Sequence, residues 1–226
     1  MESFLVQSFK EFSRRLQTRR QRFRSQMPYL RLRELDIFEE VIRRLAPRRV
    51  LEWGSGFSSI RFPRLLSGQY HWLAVEHDRK WYERLAALNQ NPHVEIRLIE
   101  PNHMPFTGPN NDGAYADLRD YVDQPAREGP YDLVIVDGRA RLACLAKAKE
   151  ILAENGVVLL HDAHRHHYAE GMRGWPYQAL FTDYRRNGGG IWLGSRDRPI
   201  ETVLDVPLHQ QRWRKVKNRV VELLRI

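Results

Sequence analysis

"VLEWGSGFSSI", Val50 to Ile60, opens with an apolar run, passes through the acid Glu52, and breaks at Gly54 and Gly56 before small hydroxyl residues. A short apolar run that stops at glycine and continues in helix-compatible residues is how a buried strand turns into a helix. The two glycines let the chain turn sharply and let backbone come close to whatever lies above it. The helix start that follows offers free N–H groups to a negative group. The stretch therefore predicts a strand, a ligand-bearing loop and a helix.

The same alternation continues on the C-terminal side. Residues 71–78, HWLAVEHD, predict a strand, and residues 79–91 a helix. Strands follow at residues 94–100, 131–138 and 157–162. Residues 114–128 begin as helix. Residues 139–156, RARLACLAKAKEILAENG, predict a helix closed by Gly156. The strands are almost continuous apolar runs, which mark burial on both faces of a parallel sheet between helices. The tail changes character. YQALFTDYRR, then Asn187 and three glycines, then IWLGSRD predict an antiparallel hairpin. The fold class is α/β, a doubly wound and mostly parallel seven-stranded sheet with a C-terminal antiparallel hairpin, flanked by N- and C-terminal helices.

Two acids frame the glycines. Glu52 precedes them, and Glu76 ends the second strand. A carboxylate there is placed to accept both hydroxyls of a ribose. Loop, second acid and hairpin together resemble the class I S-adenosylmethionine-dependent methyltransferases, over about residues 48–196. Nucleotide-binding dehydrogenases lack the hairpin and favour G-x-G-x-x-G, whose last glycine is Ser59 here. The methyltransferase loop often carries a third glycine, and Ser58 takes that place. The resemblance implies S-adenosylmethionine as cofactor. It implies that Glu52 organises the methionine amino group and that Gly54, Ser55 and Gly56 line the cofactor. Ser58 and Ser59 would sit near its carboxylate, Glu76 would hold the ribose beside His77, and Asn102 would lie near the adenine.

Methyl transfer asks the protein to align an acceptor and manage its proton. Two strand ends offer such groups: Asp137, Arg139 and Arg141 after the fourth strand, and His161, Asp162 and His164 after the fifth. This resembles the metal-dependent O-methyltransferases of small molecules, in which acids after strands four and five hold a divalent ion. Asp137 and Asp162 are the candidate ligands. That branch often has Asp-Asn after strand five, whereas Ala163 follows Asp162, so His161 or His164 would have to supply the third donor. Without metal, His161 or His164 is the candidate general base, since imidazole titrates near neutral pH. Arg139 and Arg141 open a helix, where positive charge is locally unfavourable. They therefore point to an anion, either the substrate's or Asp162. The loop at residues 101–113 and Tyr115 would cap the pocket.

The chain has 226 residues, 42% hydrophobic, enough for one α/β domain with extensions. No apolar run approaches the roughly 20 residues of a membrane span, and no secretory h-region is present. The single cysteine, Cys144, excludes an internal disulfide and a cysteine-based zinc site. A cytoplasmic setting is expected. The net charge of +9 sits at the ends: residues 1–50 hold 13 Lys/Arg against 6 Asp/Glu, and residues 208–226 hold 6 against 1. We therefore divide the chain into a basic helical extension (1–47), a methyltransferase-like domain (48–206) and a basic C-terminal helix (207–226).

Leu5, Phe9, Phe12 and Leu16 form one apolar stripe on the first helix. This stripe and the terminal helix around Trp213, Val216, Val220 and Leu224 are expected to form a homodimer interface, with peripheral membrane contact as the other reading. The expected function is methyl transfer to oxygen of a small or acidic molecule. The alternatives are a non-catalytic interaction protein of the same fold and a nucleic-acid methyltransferase. Against the last, no Asn-Pro-Pro-Tyr-like motif follows strand four.

Overall fold

The computed structural model describes residues 26–107, 111–183 and 189–223. The expected N-terminal stripe, Leu5 to Leu16, lies outside the described residues, as do Asn187, Gly188 and Leu224.

Helix α1, Leu32–Leu45, forms because Ile37, Phe38, Val41 and Ile42 recur on one face, and all four are buried. Glu34 in its first turn accepts from the Arg31 main-chain N–H at 2.8 Å. Ala46, left-handed at φ 45°, ends it before Pro47. Strand β1, Arg49–Trp53, leads through the glycine loop into the short helix α2, Phe57–Arg61, extended by a 3-10 turn at Phe62–Leu65. Next come β2 (His71–Glu76), α3 (Arg79–Leu88) and β3 (Val94–Leu98). Asp78 caps α3 by accepting from the Trp81 N–H at 2.8 Å. After a 3-10 turn at Ala116–Leu118 the chain forms α4 (Arg119–Ala126), β4 (Tyr131–Val136), α5 (Arg141–Ile151) and β5 (Leu152–His161). Strands β6 (Tyr177–Thr182) and β7 (Gly190–Ser195) make the expected hairpin, and α6 (Val206–Leu223) closes the described chain.

The seven strands lie in the order β3-β2-β1-β4-β5-β7-β6. Strands β1 to β5 pair in parallel, and β7 pairs antiparallel with both β5 and β6. Alternate residues of each strand go to opposite faces. Val50, Trp72, Leu133 and Leu159 join α1 and Trp213 of α6 in one core, while Leu51, Leu73, Val134 and Leu160 join α4 and α5 in the other. Helix α1, within the stretch read as an extension, is thus part of the first core. Cys144 lies fully buried in the second.

One element departs from expectation. Helix α5 stops at Ile151, and residues 152–156, assigned above to the helix, belong to β5. Leu152 pairs with Tyr131, and the register then jumps so that Val157 meets Leu133. The pairing of Leu152 and Val157 with β4, on either side of Ala153 and Glu154, outweighs the helix preference of those two residues.

Candidate active site

All four parallel strand ends that carry candidate residues open at one edge, next to β1, where the strand order reverses. Gly54 turns there at φ 99°, and a Cβ on it would lie 2.4 Å from Gly138 Cα. The bare backbone after β1 is therefore pressed first against the backbone after β4. A side chain at Gly54 would part the two loops that form the floor of the site.

Glu52 lies fully buried beneath this floor. It accepts from Ser58 Oγ at 2.5 Å, Ser59 Oγ at 2.7 Å and Trp72 Nε1 at 2.8 Å. Burial pushes its carboxyl up to about 7, against those three donors. Ser59 also accepts from the Gly56 N–H at 3.1 Å. Glu52 and Ser59 hold the loop from below and do not line the cavity, whereas Ser58 does.

Above the floor is a cavity of about 830 Å³, lined by Gly54, Ser55, Gly56, Ser58, Glu76, His77, Asp137, Arg139 and Arg141 among others. Glu76 Oε1 accepts from the main-chain N–H groups of His77 and Asp78, at 2.8 and 2.9 Å. Among the described residues, its Oε2 accepts from Ser55 Oγ alone, at 3.1 Å. A carboxylate has about four acceptor positions, so Oε2 retains capacity for a hydroxyl. The aromatic wall is Tyr29, Phe57 and Trp81, with Trp81 fixed by its Nε1 bond to Ser55 O at 2.9 Å. Asn102 is engaged elsewhere. Its amide makes paired bonds with Asp120, and it does not line the cavity.

A second cavity, of about 460 Å³, adjoins the first and shares Tyr29, Leu30 and Asp137 with it. Its other lining residues are Arg31, Glu34, His161 and Asp162. His161 Nδ1 is 2.7 Å from Asp137 Oδ1, and Nε2 is 3.5 Å from Glu34 Oε2. Burial alone would push this imidazole down. The charge and hydrogen bonds of Asp137, Glu34 and Asp162 outweigh that and lift it to about 10. His161 is thus held as an imidazolium, which has no lone pair with which to take a proton.

Arg141, buried at the start of α5, donates to the carbonyls of Gly138 (3.0 Å), His161 (2.7 Å) and Asp137 (3.1 Å). It also lies 3.2 Å from Asp137 Oδ1 and 3.5 Å from Asp162 Oδ2. The anion that its position called for is therefore supplied by the protein's own acids. Asp162, left-handed at φ 59°, also meets Arg165 at 2.6 Å, and its carboxyl is held below the usual range although burial opposes this. His164 lines neither cavity, and burial lowers its imidazole.

Asp137 and Asp162 do approach one another, but through Arg141. Among the described residues no group of three or more His, Cys, Asp or Glu side chains is arranged to hold a metal. A divalent ion between the two acids would face the guanidinium already bound there. The donor set does not fit a metal. Tyr115 is exposed and bonds Asp123 at 2.5 Å, and no described residue of 101–113 lines either cavity.

Tyr29, Leu30, Arg31 and Glu34 form a wall that sequence reasoning missed. The signal for Glu34 was present. It sits four residues before Phe38 and seven before Val41, an acid on the apolar stripe of α1.

The fold is one that solved methyltransferases share. A methyltransferase-like protein from Silicibacter pomeroyi superposes with a TM-score of 0.52 at 18% identity, over 81% of this chain and 96% of that one. An O-methyltransferase from Bacillus cereus, solved with S-adenosylhomocysteine, gives 0.56 at 15% identity, over 77% and 87%. The O-methyltransferase of tomaymycin synthesis from Streptomyces achromogenes, solved with S-adenosylmethionine, gives 0.51 at 18%, over 73% and 80%. No protein-family model matches the sequence, and no curated protein does.

Proposed function

We propose that the protein is an S-adenosylmethionine-dependent methyltransferase that acts on an oxygen of a small molecule. The observation that carries this reading is the pair of adjoining cavities. One lies over the glycine loop and Glu76, the other over the ends of β4 and β5, and Asp137 lines both.

Bound in the larger cavity, the cofactor supplies a methyl group already activated on a sulfonium. Glu76 Oε2 would take the ribose hydroxyls, with Ser55 free to turn aside. Tyr29, Phe57 and Trp81 offer aromatic surface to the adenine. Helix α2 begins at Phe57, and its first N–H groups suit the methionine carboxylate. The smaller cavity would hold the acceptor, with Tyr29 and Leu30 excluding water from the junction. His161 and Arg141 both contact Asp137 Oδ1, so they position that carboxylate at the junction rather than moving protons themselves.

Calorimetry with S-adenosylhomocysteine tests the reading. Glu76→Ala should weaken binding by about 1–3 kcal/mol, the cost of unpairing buried polar groups. Unchanged affinity in that variant removes the ribose role, and no binding to the wild type favours a non-catalytic interaction protein.

The homodimer and the cytoplasmic setting belong to the same proposal. Leu32, 77% exposed at the start of α1, supports further apolar cover at this end. The fully buried thiol of Cys144 is compatible with a reducing compartment.

A further inference from the structure

The smaller cavity contains three carboxylates, yet none of them is left for a ligand to neutralise. Asp137 contacts His161 and Arg141, Asp162 contacts Arg141 and Arg165, and Glu34 contacts Arg31 and His161. Asp112 lies behind them, on the Arg141 main-chain N–H. A cationic acceptor would have to displace one of the protein's own cations.

Arg31 is the cation with capacity to spare. Its Nη1 is 3.2 Å from Glu34 Oε1, and its side chain is 37% exposed. Among the described residues, Nε and Nη2 bond to no protein group. One edge of the guanidinium is also covered by main chain. A Cβ on Gly189 would lie 1.7 Å from Arg31 Nη1 and 2.2 Å from Glu34 Oε1, so the main chain before β7 lies against this pair. A guanidinium covered on one edge, with two free donors, is suited to a planar oxyanion.

Among its described lining residues the cavity also lacks a free base. Each ring nitrogen of His161 faces a carboxylate oxygen, so both act as donors. From these contacts we infer that the acceptor is a small carboxylic acid, bound as its carboxylate by Arg31. The inference rests on the methyltransferase reading for its chemistry. A carboxylate oxygen attacks the methyl carbon, the new C–O bond forms as the C–S bond breaks, and the electron pair returns to sulfur. The products are a neutral methyl ester and a neutral thioether, with no proton to remove. This site needs neither a base nor a metal to perform that step.

Benzoate, benzyl alcohol and benzylamine serve as matched probes, followed by calorimetry and saturation-transfer NMR on the full chain. Each is measured with and without S-adenosylhomocysteine. Benzoate should bind at millimolar concentration, and the alcohol and amine should bind more weakly. Arg31→Gln should lower benzoate affinity roughly tenfold, the loss expected for one charge-assisted contact, and leave S-adenosylhomocysteine affinity unchanged. Preference for benzylamine, absence of benzoate binding, or equal benzoate affinity in Arg31→Gln overturns the assignment. Loss of S-adenosylhomocysteine affinity in its place puts Arg31 on the cofactor and overturns it too. A wild type that binds benzoate but not S-adenosylhomocysteine defeats the methyltransferase reading and leaves the anion site standing.

Discussion

His161 shows how the same residue type can be read in opposite ways from sequence and from surroundings. An imidazole at a strand end suggests a base. Here carboxylates stand at both ring nitrogens, and the group is lifted to about 10. Its folded value is above the ordinary 6.5, so its contribution to stability is complete below pH 6.5 and is lost as pH rises through 10. We predict that the stability difference between wild type and His161→Gln shrinks across that window in urea unfolding at stepped pH. In wild type the ring resonances should titrate near 10. A ring that titrates near 6.5 would remove the clamp formed by Asp137 and Glu34. That Asp137, Glu76 and Asp162 border the cavities was legible because each stands at a strand end in the alternating series. The place of Arg31 was not, because Gly189 and Glu34 meet it from far along the chain and from a buried helical face.

Among the elements, strands were the easiest to foresee. Runs such as Leu133 to Val136 are apolar throughout because both faces are covered. Boundaries were harder. The end of α5 was misplaced because Ala153 and Glu154 are good helix formers in isolation, and only the pairing of Leu152 and Val157, on either side of them, with β4 draws the segment into a strand. The turns after β1 and β4 carry the sharpest constraint. Gly54→Ala combines a positive φ with a contact 2.4 Å from Gly138, so both the turn and the floor must shift. We expect a loss of about 1–3 kcal/mol or more in thermal unfolding, the scale of a disallowed backbone conformation, together with loss of S-adenosylhomocysteine binding. A variant that keeps both properties would show that the loops can separate without consequence.

For the whole molecule, two cores on opposite faces of one sheet leave the carboxyl edge to form the site. No described helix is long and apolar enough to cross a membrane. The basic N-terminal segment is where self-association is tested. Removing residues 1–25 retains every residue from Tyr29 to Glu34. If the segment forms a dimer interface, the truncated chain should sediment as a monomer, with the sheet's circular dichroism unchanged. A full-length chain that is already monomeric at high micromolar concentration rules out the dimer. The sequence indicated that the chain's ends are basic and amphipathic, but an apolar stripe specifies only that something covers it.

Cys144 is the chain's only thiol and is fully buried, with burial pushing its ionisation well above the usual thiol range. Maleimide chemistry needs an accessible thiolate, so the native chain should remain unlabelled while folded. A cysteine introduced at exposed position 32, one residue beyond Arg31, would then be the sole point of attachment for a fluorophore. The protein needs no prior cysteine removal to become an optical reporter of what enters its own smaller cavity.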